Sequence, residues 1–302
     1  MSESIVFDLV LCAGLLWSAS GALLSRSRYS AVILFIVFGL LMTVAWVRVA
    51  APDIALAEAA IGAGLTGALL LEALSDGSGE TTERAGRVWL LPLATFVAAL
   101  LGLTLTTLPS PEISLPAVVD SALPESGVMH PVTAVLLNFR GYDTLLEVAV
   151  LLAALLGVLS VMQPQQTVRL AGVPFLQAIA RIVVPFAILT AGYLLWVGAH
   201  RPGGAFQGAA ILAAAAVLLA LVGMLDSWTR PPWSVRLVIA LGPLVFLTVA
   251  APVFERAVLL YLPPDYAGLL ILLIESALTV SLGFTLAGLF LVQLRSERAD
   301  GR

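Results

Sequence analysis

Nine long apolar stretches determine what this chain can fold into. Each has about 18 or more residues, the length that an α-helix needs to cross a hydrocarbon core of about 30 Å. Because nothing inside a bilayer pairs with exposed backbone groups, such stretches fold as helices. The sequence therefore predicts an all-α, polytopic integral membrane protein of about nine transmembrane helices. The predicted spans are 5–24, 31–49, 52–74, 88–108, 144–162, 182–199, 204–225, 237–254 and 266–292.

The arginines predict the orientation of these spans. All 15 basic residues of the chain are arginine, and 11 of them fall on the inner side if the N-terminus lies outside, against 4 on the outer side. Cytoplasmic loops carry such an excess of positive charge. We therefore expect the N-terminus outside and the C-terminus inside. We also expect the first helix to be retained, because residues 1–4 carry Glu3 and no arginine, unlike a cleavable signal.

Composition narrows the function classes. Of the 302 residues 60% are hydrophobic and 11% are charged, which excludes a soluble enzyme, and the net charge of −4 argues against a nucleic-acid partner. The single cysteine, Cys12, cannot form a disulfide within the chain or build a cysteine metal site. We therefore expect no cofactor and no resident metal site within this chain.

Three loops divide the chain into predicted units of 1–75, 76–165 and 166–302. Residues 75–87 are polar and glycine-rich, as in a flexible linker. The proline-rich stretch 109–141 contains one apolar run, 132–139, which is too short to span and is predicted to be interfacial or re-entrant. At the third boundary, 163–181, residues 172–181 are predicted to lie on the inner face as a lead-in to the next helix.

Carboxylates within spans are candidates for an ion or proton path, because an unpaired charge there is costly. Glu58 and Glu72 are 14 residues apart, which places them and Gly62 on one face of the third helix. They could be two proton stations. Alternatively, Glu58 bonds a neighbouring helix and Glu72 reaches water at the membrane boundary.

The start of the fifth helix holds a charge cluster. Asp143 and Glu147 lie one turn apart, and Arg140 can pair with either carboxylate. Such coupled groups can hold and pass a proton or a cation. The alternative is structural, since Thr144 and Glu147 have the spacing of a capping box.

Glu275 lies about 15 Å inside the last span, near the middle of the membrane. No other charged residue of the chain is predicted at that depth, so we expect water or another subunit to satisfy Glu275. Asp53 and Asp265 each follow a proline at the outer start of a helix, where we expect them to cap free amides.

Two histidines and a glycine turn are supporting candidates. His130 and His200 fall in outer segments, where histidine can relay protons but is more often simply a surface residue. Gly203 and Gly204 form a tight turn that permits close backbone approach or a short connection.

Three of these segments resemble one known family. The turn 198–209, GAHRPGGAFQGA, resembles the MnhB subunit of multisubunit Mrp/Mnh-type Na⁺/H⁺ antiporters. Residues 138–147, NFRGYDTLLE, resemble the C-terminal part of the large MnhA-type subunit of the antiporter and the separate MbhE subunit of related membrane-bound hydrogenases. Residues 51–64, APDIALAEAAIGAG, are similar to the MbhD subunit of those hydrogenases.

The resemblance implies a transporter subunit, not an enzyme, that works within a complex in the plasma membrane of a prokaryote and binds Na⁺ only transiently. The family exchanges protons for Na⁺, and its large A- and D-type subunits, the implied partners beside lipid, carry proton translocation. Asp143 and Glu147 match the acidic motif of the A-type subunit, and Glu58 matches the acid of MbhD. Glu58 favours a second possibility, the ion-pumping membrane arm of a redox complex such as a hydrogenase or quinone reductase. A third is a scaffold subunit that transports nothing.

Overall fold

The computed structural model describes residues 2–75, 90–108, 114–161, 174–225, 231–251 and 262–292, and their regular elements are all helices. This confirms the all-α membrane fold. The α-helices are α1 (Ser2–Leu24), α2 (Arg28–Arg48), α3 (Pro52–Ala57), α4 (Thr66–Ser75), α5 (Leu90–Thr107), α6 (Leu115–Ala122), α7 (Pro131–Ala134), α8 (Gly141–Val161), α9 (Pro174–Val197), α10 (Ala205–Leu221), α11 (Trp233–Ala250) and α12 (Pro264–Leu291). π-Helical segments, Glu58–Leu65 and Val135–Phe139, follow α3 and α7, and a 3₁₀ turn, Leu123–Glu125, follows α6.

Helices occupy the described part of every predicted span. Within the described residues, seven helical stretches are long and apolar enough to cross a membrane, and apolar segments of α5 and α10 are shorter. The count of nine and the orientation remain predictions. The helix through the sixth predicted span differs at its start. It begins at Pro174 and runs without a break, so the described part of the predicted lead-in, from residue 174 on, belongs to the helix itself.

The core forms around α12, in which more than half of the residues are buried. Small residues let α10 approach it closely: a Cβ on Gly208 would lie 3.1 Å from Thr279, and one on Gly283 would lie 3.1 Å from Leu212. On another side, the Ser281 hydroxyl donates a 2.5 Å hydrogen bond to the Ile239 carbonyl of α11. Close backbone contact through small side chains is the usual means of packing in lipid, where helices gain little from burying apolar surface.

The N-terminal helices form a second layer. The start of α1 and the end of α2 are joined by an ion pair between Asp8 and Arg48 at 2.7 Å. Helix α2 packs on the π-helical segment at Gly39, where a Cβ would lie 2.9 Å from the Cβ of Ala63. It also packs on α4, because a Cβ on Gly67 would meet Ile36 at 2.6 Å. Gly67 therefore leaves room for the Ile36 side chain of α2.

The short apolar run 132–139 does not span. It folds as α7 and the following π-helical segment, and α8 begins directly after it at Gly141. The Thr133 hydroxyl donates a 2.5 Å hydrogen bond to the Gly198 carbonyl, which ties this segment to the turn before α10. The predicted linker, apart from Ser75, lies outside the described residues, as do 109–113 and 163–173 of the other two loops.

Candidate functional site

Asp53 connects three distant parts of the chain. Its carboxylate lies 2.9 Å from Nε2 of His130 and accepts a 3.3 Å hydrogen bond from the backbone N–H of Gly203. The Gln207 side-chain amide donates a longer bond, 3.4 Å, to the Asp53 carbonyl. The Asp53 and His130 side chains are only 11% and 12% exposed. The prediction that Asp53 caps a helix is wrong, because Ala51 is the N-cap of α3 and the Asp53 carboxylate faces other helices instead.

Backbone hydrogen bonds hold this junction together. The amides of Met129 and His130 both donate to the carbonyl of Ala199, at 2.8 and 3.0 Å. In the same turn, the Gly204 amide donates to the Leu194 carbonyl. Gly204 has φ = 111°, a conformation that glycine adopts without strain. Gly203 thus presents its backbone amide to Asp53, and Gly204 turns the chain into α10. The end of the bundle where α3, α8 and α10 begin is termed the junction end.

A cavity of about 410 Å³ lies at the junction end, lined mostly by apolar residues from the three predicted units. It is termed the main cavity. Its carboxylates are Asp53 from the first unit, Glu147 from the second and Glu275 from the third. Further oxygen atoms are available from Thr133, Thr144 and Gln207. No local pattern indicates that Glu147 and Glu275 share one space, because 128 residues separate them.

Glu275 is 4% exposed and lies against the turn before α10. A Cβ on Gly204 would come within 2.9 Å of its Oε1 atom, so the carboxylate lies close to the start of α10. That water or another subunit satisfies Glu275 remains a prediction. A glycine and a helix N-terminus of the same chain lie beside it, and a positive helix end favours a negative charge.

The charged residues at the start of the fifth predicted helix have two different environments. Arg140 pairs with Asp143, both on the surface, whereas Glu147 lines the main cavity. The capping-box alternative is wrong, because α8 begins three residues before Thr144. The Thr144 hydroxyl instead donates a 2.6 Å hydrogen bond to the carbonyl of Leu136.

The remaining carboxylate candidates lie away from the main cavity or outside the described residues. Glu58 is half-buried between helices, and a Cβ on Gly39 of α2 would lie 3.3 Å from its Oε1 atom. Its carboxylate also fills the space beside Gly62, as expected for residues on one face. The side chain of Glu72 is outside the described part of the chain. Asp265 is exposed in the first turn of α12, where Pro263 is the N-cap and no side-chain cap bond forms.

The histidines differ in environment. His200 is exposed, as a surface histidine would be, and lines a second, smaller cavity. His130 is not a surface residue, because it is largely buried against Asp53. The sequence did contain one signal for this contact. Asp53, at the start of a helix, and His130, in an outer segment, each lie beside a proline and are both predicted on the outer side of the membrane.

Fold and site together define a multi-pass membrane protein whose helices gather carboxylates around a cavity. Residues 175–294 match the family described as a domain related to the MnhB subunit of Na⁺/H⁺ antiporter, and residues 13–77 match MbhD, described as the D subunit of MBH. The chain thus carries a region similar to MnhB and a region similar to MbhD, which confirms two of the three resemblances seen in the sequence. A direct sequence comparison with curated proteins finds no match.

Two solved structures share the fold. One is the Mrp complex from Dietzia sp. DQ12-45-1b, with a TM-score of 0.79 and 22% identity over 97% of this chain and 35% of that chain. The other is the membrane-bound sulfane sulfur reductase (MBS), an archaeal respiratory membrane complex, with a TM-score of 0.58 and 24% identity over 70% of this chain and 99% of that chain. This chain thus spans about a third of the length of the Dietzia chain. Both likenesses show that this chain shares its fold with chains of these two membrane complexes.

Proposed function

We propose that this chain forms part of the ion path of a multisubunit Na⁺/H⁺ antiporter in a prokaryotic plasma membrane. Its partners would be the other membrane subunits, including large proton-translocating A- and D-type subunits. The observation that carries the proposal is the main cavity, which both Glu147 and Glu275 line although they come from different predicted units of the chain. Glu275 is buried, and a buried carboxylate inside a membrane is retained where ions or protons move, because a structural role is served at lower cost by an uncharged residue.

The lining of the main cavity suits a hard monovalent cation. Carboxylate, amide and hydroxyl oxygens are the ligands that hard cations such as Na⁺ prefer. A cation is bound well while the carboxylates are ionised and poorly once one of them takes up a proton. Competition between proton and cation for the same carboxylates is the basis of an exchange. Glu147 and Glu275 are the residues we propose to carry it, with Asp53 at the junction end.

Three of the predicted path residues have weaker support. Asp143 is engaged by Arg140 on the surface, and we propose that this pair attracts cations toward the cavity rather than binding them within it. Glu58 contacts α2 and is proposed to serve a contact between the first helices. Glu72 is proposed, on its sequence position alone, to lie at the far boundary of the same span.

The direct test replaces each cavity carboxylate by its neutral isostere in the assembled complex. In everted vesicles from an antiporter-deficient host, Glu147→Gln and Glu275→Gln should each lower Na⁺-dependent proton flux by about tenfold or more, with unchanged recovery of the complex. Asp265→Asn is the matched control, because Asp265 is exposed at the start of the same helix as Glu275. Normal flux in both cavity variants would favour a scaffold that transports nothing.

A redox-driven complex is the second candidate, because the first three predicted spans match a family described as part of MBH. The same cavity would then serve an ion path powered by electron transfer in partner proteins. Purification in mild detergent distinguishes the exchanger from the redox-driven complex. The co-purifying chains are identified by mass spectrometry, and the sample is assayed for iron. Membrane subunits without iron support the exchanger, whereas co-purifying iron–sulfur proteins support the redox complex.

A further inference from the structure

Glu275 lines two cavities. Besides the main cavity, it faces a second one of about 190 Å³ that is lined by the loop 127–129, by Ala199 and His200, and by one side of α12. This second space is termed the histidine cavity. Among the residues that the structure describes, Glu275 is the one that lines both.

Backbone contacts fix the walls of the histidine cavity. The loop approaches α12 so closely that a Cβ on Gly268 would lie 2.5 Å from the carbonyl oxygen of Gly127, which itself has φ = 78°. The Met129 amide bonds the Ala199 carbonyl and closes the loop against the turn. Main-chain contacts therefore hold the loop and the turn that form two sides of this space.

The two cavities differ in charge. The main cavity holds Asp53 and Glu147 beside Glu275, whereas His200 is the only other titratable side chain that the described residues place on the histidine cavity. Of the neighbouring groups, His130 is bound to Asp53, and Arg201 is exposed and lines neither cavity. Three carboxylates attract a cation. A single carboxylate that shares a cavity with an imidazole can accept a proton but binds a metal cation weakly.

We propose that protons reach Glu275 through the histidine cavity while the cation reaches it through the main cavity. This inference rests on the proposed function. A protonated His200 gives its ring N–H proton to water in the histidine cavity, and that water gives a proton to an Oε atom of Glu275. Exposed His200 then takes up another proton from bulk water. Neutralised Glu275 no longer attracts the cation, which leaves the main cavity, so one carboxylate couples the two flows.

Labelling tests whether the histidine cavity is open to water. Leu272 lines it, and the next residue, Leu273, is exposed on the surface of α12 and lines neither cavity. In a Cys12→Ser background of the assembled complex, we expect a charged, membrane-impermeant methanethiosulfonate to modify Leu272→Cys at least about tenfold faster than Leu273→Cys, because thiolate formation requires water. Equal or slower labelling at residue 272 would overturn the proposal.

Blocking tests whether protons use the route. Leu272→Trp should fill the histidine cavity and lower Na⁺-dependent proton flux by about tenfold, leaving the KM for Na⁺ within about twofold of wild type, whereas Leu273→Trp should change neither. His200→Ala should lower the flux most at neutral pH and little in acid, where hydronium ions supply the proton directly. Normal flux in Leu272→Trp, with loss in Glu275→Gln, would overturn the separate route and leave the proposed function intact. Normal flux in Glu275→Gln and Glu147→Gln would instead overturn the proposed function.

Discussion

The Asp53 carboxylate and the His130 ring, 77 residues apart in the chain, meet at 2.9 Å on the edge of the main cavity. The same carboxylate accepts the amide of Gly203, so one side chain joins α3, the segment before α7 and the turn before α10. Its position makes Asp53 a structural support for the cavity as well as part of its lining.

Asp53→Asn should destabilise the chain by about 1–3 kcal/mol, because a largely buried carboxylate–imidazole contact is replaced by an amide–imidazole contact and one acceptor is lost. The measurement is the unfolding midpoint of the purified complex in mixed detergent micelles. Asp8→Asn is the matched control, since its pair with Arg48 is exposed at both ends and contributes little. Equal midpoints for the two variants would contradict the role given to Asp53.

Gly204→Ala should impair both transport and stability. The new Cβ would lie 2.9 Å from the Glu275 carboxylate, and φ = 111° is strained for any residue with a side chain, at about 1–2 kcal/mol. The displaced carboxylate should lower Na⁺-dependent proton flux by about tenfold, a loss equivalent to about 1.4 kcal/mol. Gly192→Ala is the control, because nothing lies within 4 Å of a Cβ there and a helical alanine is well tolerated. Identical flux in the two variants would show that the position of Glu275 is not critical.

Gln207→Leu should weaken cation binding. Leucine has a similar size, but it removes the amide that lines the main cavity beside Asp53. We expect the KM for Na⁺ to rise by about tenfold, the equivalent of one lost ligand contact of about 1.4 kcal/mol, with a smaller change in the maximal rate. Gln207→Asn, which keeps the amide on a shorter side chain, should recover part of the affinity. A KM unchanged in Gln207→Leu would place the cation elsewhere in the cavity.

Phe246→Ala should lower stability without changing the affinity for Na⁺. Phe246 is fully buried in the core around α12 and lines neither cavity, so its removal leaves a void. Lipid is itself apolar, so only the packing part of the usual cost applies, about 2 kcal/mol. Phe284→Ala, at a residue 40% exposed on α12, should cost clearly less in the same unfolding assay. A larger effect at Phe284 would mean that a partner protein covers that face.

The spans could be predicted from sequence because lipid enforces them residue by residue, without reference to the rest of the fold. The depth of Glu275 was predicted in the same way, from its position within one span, whereas its place beside the turn before α10 was not. The partner of Asp53 did not, since a local pattern assigns an acid after Pro52 to helix capping, and His130 is brought to it only by tertiary packing. Asp53 is thus the candidate that local reasoning interpreted least well.

The third span shows a second limit. The expected alignment of Glu58 with Glu72 assumed α-helical winding throughout, yet residues 58–65 are π-helical. A π-helical turn bonds i to i+5 and winds more widely, so the register between the two carboxylates changes. No periodicity in the residues marks this segment, although π-helical turns occur often at functional sites.

Residues of all three predicted units, which belong to one polypeptide, line the main cavity. This arrangement has a consequence for biogenesis. Units on separate chains would have to find one another in the membrane, and any imbalance in synthesis would leave carboxylates facing lipid without their neighbours. A covalent link keeps the three in equal number and raises their effective concentration to that of an intramolecular contact. The cell that makes this chain therefore never makes one wall of the cavity in excess of the others.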